Sequence, residues 1–257
     1  MSLRGVLYCA IESPAYLEAA VVSAFALRQL EPELPITLIT DLPLPISALR
    51  QQGIMVKPVE IPNQWRSPGG FASRLVKTSL PEFSDFEQTL YLDADVLPIL
   101  PIHAIWSYLE ADDLVMKPDV QAQIGQCDHI DEHEKQYTLK HCPPDTPHYN
   151  AGVMLWRRTP STTALFQAWK AEWQVFRQHD QLAFVRALQT HPIPIVALPD
   201  FYNFPAHLLT ATEIERNEVR LLHCLKGFVR VGRFRAIAER LMPESTERAL
   251  SVLQQAA

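Results

Sequence analysis

The sequence predicts an α/β protein with a mostly parallel central sheet flanked by helices. Two observations carry this. Strand-like and helix-like segments alternate through the first hundred residues, and no repeat, low-complexity tract or linker divides the 257 residues. Gly5 to Ala10 is a short apolar run of strand length. Ser13-Pro14 supplies a cap residue and a proline suited to a first helical turn, and Ala15 to Leu30 carries apolar residues at helical spacing. Ile36 to Thr40 is β-branched and ends at Asp41; Ile54 to Ile61 is a third strand. Phe71 to Leu80 reads as a helix, and Thr89 to Leu92 as a fourth strand that stops at Asp93. Strands separated by helices pair in parallel and are covered on both faces. Ligands of such sheets bind at the carboxyl ends of the strands, where Asp93 and Asp95 fall.

The second half is more mixed. Asp113 to Met116 is a short strand, and 119–148 a long, polar, partly irregular loop rich in histidine, proline and acids. Tyr149 to Trp156 reads as a strand, and Thr162 to Arg177 and Asp180 to Gln189 as helices. Ile193 to Leu198 and Val219 to His223 are strands, and Ser245 to Gln255 is a helical tail. One domain over 1–257 is the simplest organisation. Its halves are 1–100 and 101–230, with a helical tail over 231–257.

Composition narrows the function classes. Hydrophobic residues make up 47% and charged residues 20%, and the net charge is -6. An acidic chain argues against a nucleic-acid partner, although a local site can still be positive. The four cysteines, Cys9, Cys127, Cys142 and Cys224, form no C-x-x-C pair and suggest a reducing compartment. The apolar run at Gly5 is too short for a signal-peptide core, and no stretch reaches the length of a membrane span. The expectation is a cytoplasmic protein, with peripheral membrane contact left open and the oligomeric state unspecified.

Tyr91-Leu-Asp-Ala-Asp-Val96 is the strongest local signal. An apolar strand delivers two carboxylates, at i and i+2, which in an extended chain point to one side. Two such hard oxygen ligands suit Mg²⁺ or Mn²⁺, which also take phosphate oxygens and water. The same string also fits a strand followed by a capped turn. It fits, too, the nucleophile strand of haloacid-dehalogenase-type phosphatases. In those proteins the motif usually sits near the N-terminus and continues into Thr or Val where this chain has Leu97.

Several separated segments resemble glycosyltransferase family 8, the glycogenin and lipopolysaccharide-galactosyltransferase group. Leu7-Tyr-Cys-Ala-Ile-Glu-Ser-Pro-Ala-Tyr16 is similar to its first strand and nucleotide-binding turn. Arg74 to Lys77, leading through Leu80-Pro-Glu82 to Asp93-Ala-Asp95, resembles its donor helix and D-x-D strand. Tyr149-Asn-Ala-Gly-Val-Met-Leu155 resembles F-N-S-G-V-M-L, and His179-Asp-Gln181 its D-Q-D segment. Leu198-Pro-Asp-Phe-Tyr-Asn203 resembles L-P-x-x-Y-N, and Leu222-His223 its late strand. The pieces keep the family's order over residues 7 to about 228.

The resemblance implies a GT-A fold: a single Rossmann-like domain with a nucleotide-binding half followed by a sugar and acceptor half. It implies retaining transfer of a hexose or related sugar from a UDP-sugar to an unknown sugar, lipid or protein acceptor. It implies a metal, Mn²⁺ or Mg²⁺, held by Asp93, Asp95 and His223. Tyr16 would stack on the base with Ala10 beside it; Arg74, Lys77 and Ala94 would contact the donor. Asn150, Asp180 and Gln181 would line the sugar side, with Asp180 the candidate for stabilising an oxocarbenium-like centre. Each also has a plain structural role open to it: Tyr16 in the core, Lys77 in solvent, Asn150 in a turn, Asp180 as a helix cap, His223 as a buried satisfied group.

The chain departs from the family after His223. The usual H-x-x-G-x-x-K-P-W becomes His223-Cys-Leu-Lys-Gly-Phe-Val-Arg-Val231, so Lys226 or Arg230 stands in for the phosphate-binding lysine. Ala151 replaces a common serine, and Leu182 follows Gln181 where an acid is usual. Cys127, His129, His133, His141, Cys142 and His148 supply zinc-ligand types at spacings that match no standard zinc motif, so a polar acceptor-side loop is the favoured reading. The alternatives are a sugar nucleotidyltransferase, whose glycine- and basic-rich phosphate loop is absent from Ala10 to Tyr16, the phosphatase, and a non-catalytic nucleotide-sugar-binding protein.

Overall fold

A computed structural model of the chain describes residues 2–66, 71–216 and 218–255. The chain runs β1 (Ser2–Ala10), α1 (Pro14–Leu30), β2 (Ile36–Thr40), α2 (Ile46–Gln51), β3 (Ile54–Pro58), α3 (Ala72–Lys77), α4 (Leu80–Phe83), β4 (Phe86–Asp93) and β5 (Val96–Pro98). It continues through β6 (Leu114–Gln123), α5 (Glu132–Leu139), β7 (Pro147–Arg157), α6 (Pro160–Phe176), α7 (Gln181–Thr190) and β8 (Val196–Ala197). It closes with β9 (Phe204–Pro205), α8 (Ala211–Glu215), β10 (Leu221–His223), α9 (Arg233–Leu241) and α10 (Pro243–Gln254).

Seven strands form the main sheet in the order β3-β2-β1-β4-β7-β6-β8. All neighbours are parallel except at β7, which opposes both β4 and β6. The alternation of side chains along β1 explains its unbroken apolar run. Val6, Tyr8 and Ala10 face α1 and the two C-terminal helices, whereas Leu7 and Cys9 face α3, α6 and α7. The sheet is therefore covered on both sides. β1 and β4 end level, with Cys9 opposite Asp93. This opens the cleft at their carboxyl ends.

A second, three-stranded sheet has the order β5-β10-β9. Its antiparallel pairing sets His223 opposite Val96. The Cys224 N–H then donates to the Asp95 carbonyl at 2.8 Å. A residue 128 places further along the chain is so delivered to the D-x-D segment.

Four segments differ from the sequence expectation, each for a local reason. The helix expected over 71–80 breaks after Lys77 and restarts at Leu80: Pro81 has no N–H to carry the first helix onward, and the Thr78 and Ser79 hydroxyls take the Leu75 carbonyl. The strand expected over 193–198 shrinks to two residues, because Pro192 and Pro194 have no N–H for a ladder. The loop expected over 119–148 is more ordered: β6 runs on to Gln123 over two irregularities in its pairing. α5 follows, capped by the Asp131 carboxylate on the His133 and Glu134 N–H groups. The helical tail expected over 231–257 is two helices, with α9 ahead of α10; Phe234, Ile237, Ala238 and Leu241 of α9 carry helical spacing. No helix among the described residues is long and apolar enough to cross a membrane.

Candidate active site

The cleft lies where β1 and β4 end and has a volume of about 230 Å³. Ala10, Tyr16, Arg74, Lys77, Asp93, Ala94 and Asp95 all line it. Arg230 joins them; Lys226, at a left-handed turn with φ 60°, does not. Tyr16 is half-buried: it lines the cleft and also packs against the main core.

β4 ends at Asp93, and a turn through Ala94 and Asp95 separates it from β5. The two carboxylates converge through this turn, not along an extended strand as the i, i+2 spacing suggests. One ligand atom from each of Asp93, Asp95 and His223 lies within 4.8 Å of the others. A Mg²⁺-like cation with bonds of about 2.1 Å spreads opposite ligands about 4.2 Å apart. The three groups therefore fit a divalent cation with little closing, and two carboxylates with one imidazole suit Mn²⁺ or Mg²⁺. Among the described residues no other such group of three forms. The histidines and cysteines of 127–148 do not gather into one such group: Cys127 and Cys142 are buried in a small apolar cluster, His129 lies beside Cys127 and His148, and His133 packs on Phe176.

Lys77 organises the acids behind the metal position. Its side chain is only 10% exposed, and Nζ lies 3.0 Å from both Asp93 oxygens and 3.2 Å from Asp180 Oδ2. Burial alone would lower the Lys77 pKa, but Asp180 and Asp93 outweigh it and hold the pKa above its ordinary value. Burial would raise the Asp180 pKa, but Lys77 and Arg74 bring it below the usual carboxylate range. The solvated helix lysine and the helix-capping aspartate are thus not what forms, since the Asp180 side chain makes no cap bond to α7. Asp180 Oδ2, 3.2 Å from Lys77 Nζ, is buried and has no other hydrogen-bond donor among the described residues.

Tyr91, to which the sequence assigned no role, donates to Asp93 Oδ1 at 2.6 Å. Burial and the neighbouring carboxylate push its phenol well above the ordinary pKa, so it stays a donor. Asn150, Asp180 and Gln181 do not line this cleft; Asp180 is buried behind Lys77, and the Asn150 and Gln181 amides both donate to Asp119 Oδ2, each at 3.0 Å. Asn203, also given no role in the sequence, sets its Oδ1 2.8 Å from His223 Nδ1. It was visible at the end of Leu198-Pro-Asp-Phe-Tyr-Asn203, but nothing in the string marks which ring it touches.

The sequence profile described as nucleotide-diphospho-sugar transferase matches residues 90–223, from the approach to Asp93 through to His223 itself. The chain belongs to this family. This transferase has the GT-A fold. It is similar to the galactosyltransferase LgtC solved with donor and acceptor sugar analogues: TM-score 0.59, 18% identity, 93% of this chain and 96% of that one. It is similar to mouse xyloside xylosyltransferase 1 at TM-score 0.57 and 14% identity, over 86% and 97% of the two chains. The glycosyltransferase GlyE of Streptococcus pneumoniae TIGR4 matches at TM-score 0.57 and 15% identity, over 96% of this chain and 64% of that one. No curated protein sequence matches the transferase.

Proposed function

We propose that this transferase moves a hexose or related sugar from a UDP-sugar to an acceptor with retention, and that it needs Mn²⁺ or Mg²⁺. The observation that carries the reading is the Asp93, Asp95 and His223 triangle, set in a cleft that also holds Tyr16, Arg74, Lys77 and Arg230. The cation, when bound, offsets the charge that develops on the diphosphate as the anomeric bond breaks. Arg74 and Arg230 add donors and positive charge on the same side. Tyr16 offers a ring face to the base. Lys77 spans Asp93 and Asp180, so one carboxylate of the proposed metal set also has the sugar-side carboxylate as its neighbour.

Asp180 is kept ionised by Lys77 and Arg74. A buried anion there suits an oxocarbenium-like centre, by direct attack or by stabilising attack from the same face. Residues 1–100 then serve the nucleotide, and 101–230 the sugar and acceptor. Four buried, unpaired cysteines fit the reducing compartment expected from the sequence.

Calorimetric titration of UDP and other nucleoside diphosphates, with and without Mn²⁺, tests this. UDP should bind with Mn²⁺ present, and Asp95→Asn should lose the Mn²⁺-dependent part. If no nucleoside diphosphate binds wild type with Mn²⁺, the reading is wrong.

A further inference from the structure

We propose that Asn203, held in one orientation by Asn150, sets the tautomer of His223 and turns its Nε2 lone pair toward the Asp93–Asp95 position. Asn150 is thereby a positioning residue, in contrast to the sugar-contacting role that the family resemblance implies. The inference rests on the metal-dependent reading above.

The orientation of each amide follows from groups whose polarity is unambiguous. The Gly152 backbone N–H can only donate, and it meets Asn150 Oδ1 at 3.0 Å. The Asp119 carboxylate accepts at the other end: its pKa is lowered, since burial is outweighed by the Asn150 bond and its other partners. Asn150 therefore has oxygen toward Gly152 and nitrogen toward Asp119. Its oxygen also lies 3.1 Å from the Asn203 amide. An oxygen there would face another oxygen, so Asn203 must present its NH₂ to Asn150. Its own oxygen then points at His223 Nδ1, 2.8 Å away, and can only accept. His223 must carry its proton on Nδ1.

That leaves the lone pair on Nε2, which lies 3.4 Å from Asp95 Oδ1. Two electron-rich atoms at this separation favour a cation between them. A neutral histidine in water prefers the opposite tautomer, with the proton on Nε2, so the protein has to select this one. The second-shell partner of a metal-bound histidine ordinarily does so.

The relay is rigid. Asn203 is only 3% exposed. Its N–H donates to the Asp200 carbonyl, and its carbonyl accepts from Lys117 Nζ at 3.1 Å. Gly152 is needed for close approach: a Cβ there would meet His223 Cε1 at 2.2 Å. The far end is anchored as well, because Asp119 Oδ2 also accepts from Gln181, whose NH₂ bonds the Tyr149 carbonyl at 3.2 Å.

Long-range ¹H–¹⁵N NMR of the metal-free protein at a pH where histidine is neutral reads the tautomer, with His223→Gln assigning the signal. Mn²⁺ affinity by EPR provides the second readout. Wild type should show a protonated Nδ1 and a bare Nε2. Asn203→Leu should shift the proton toward Nε2 and weaken Mn²⁺ binding by about 10–100-fold. Asn203→Asp, which keeps an acceptor for Nδ1–H but sets an oxygen against Asn150 Oδ1, should restore the tautomer. Asn150→Leu, two residues removed from the metal position, should also shift the tautomer; Asn150→Asp, which keeps the oxygen facing Asn203, should not. A wild-type His223 protonated on Nε2, or an unchanged tautomer in Asn203→Leu, overturns the proposal. Failure of wild type to bind Mn²⁺ would instead remove the metal-dependent reading, while the tautomer would still be decided by the spectrum.

Discussion

Lys77 is the residue on which the charge balance of the site turns. Lys77 and Asp180 are both about nine-tenths buried, and each shifts the other toward its charged form. Removing the cation leaves a buried carboxylate short of its partner, a change that typically costs about 3–5 kcal/mol. Lys77→Met should therefore lower stability by about that amount in urea denaturation at pH 7. The pH dependence follows from the shifts. The lowered pKa of Asp180 contributes stability that is present above its unfolded value of about 3.9 and is lost as pH falls through the folded value. The raised pKa of Lys77 contributes stability that is present below about 10.4 and is lost as pH rises through the folded value. In the variant, burial acts on Asp180 with one cation fewer and raises its pKa. The gap between variant and wild type should therefore narrow on acidification, beginning above about pH 3.9. A gap that stays constant down to pH 3 would show that the two groups are not coupled. Asp93 and Asp95 were legible as candidates because they sit in a short motif, and Lys77 through the family resemblance. Their pairing with Asp180 was not, because a contact across 103 residues leaves no local trace. Asn203 was hidden because its role is set by His223, 20 residues on, and Tyr91, although only two residues from Asp93, because nothing in the string shows that its hydroxyl turns back onto that carboxylate.

Elements were legible where the local chemistry agreed with the tertiary fold. β2 begins and ends where its β-branched run does, and α1 begins at the Pro14 that marks it. Elements made mainly by tertiary pairing were less so. β5, β9 and β10 are two or three residues long and exist because they pair with each other. α9 and α10 are a different case, since they pack against α1 on the same face of the sheet. Ser245, Thr246, Ala249 and Val252 of α10 are buried, and the Thr246 hydroxyl bonds the Met242 carbonyl at 2.7 Å. Deleting 243–257 should uncover the apolar flank of α1, where Ala20, Val21 and Ala24 are fully buried. A single buried valine or leucine contributes about 1.5–3 kcal/mol. The truncated chain should lose about 3 kcal/mol or more, read as a lower urea midpoint or as loss to the insoluble fraction. A truncated protein with an unchanged midpoint would show that the tail does not stabilise the domain.

At the scale of the whole molecule, the site is a junction of segments far apart in the chain. Lys77 closes α3, Asp93 ends β4, Asn150 and Gly152 lie on β7, Asp180 precedes α7, and His223 ends β10. The fold class was readable from the alternation of the first hundred residues, but this convergence was readable only through the family resemblance. A ligand that grips several of these segments at once binds the native state and has no equivalent in the unfolded chain. It must then raise global stability by mass action: free ligand at 100 times its dissociation constant contributes about 2.7 kcal/mol. For a chain of roughly this size, 1 kcal/mol moves Tm by about 2–4 °C. UDP with Mn²⁺ at that excess should therefore raise Tm by about 5–11 °C. EDTA should return Tm to the level seen with UDP alone. Mn²⁺ without nucleotide should do less, because the three protein ligands leave coordination positions that only diphosphate oxygens or water can fill. Asp95→Asn should abolish the Mn²⁺-dependent part of the shift and leave the Tm of the ligand-free protein within a few degrees of wild type. If the full shift survived in Asp95→Asn, the nucleotide would be held by Arg74, Lys77 and Arg230 alone, and the cation would have no place in the site.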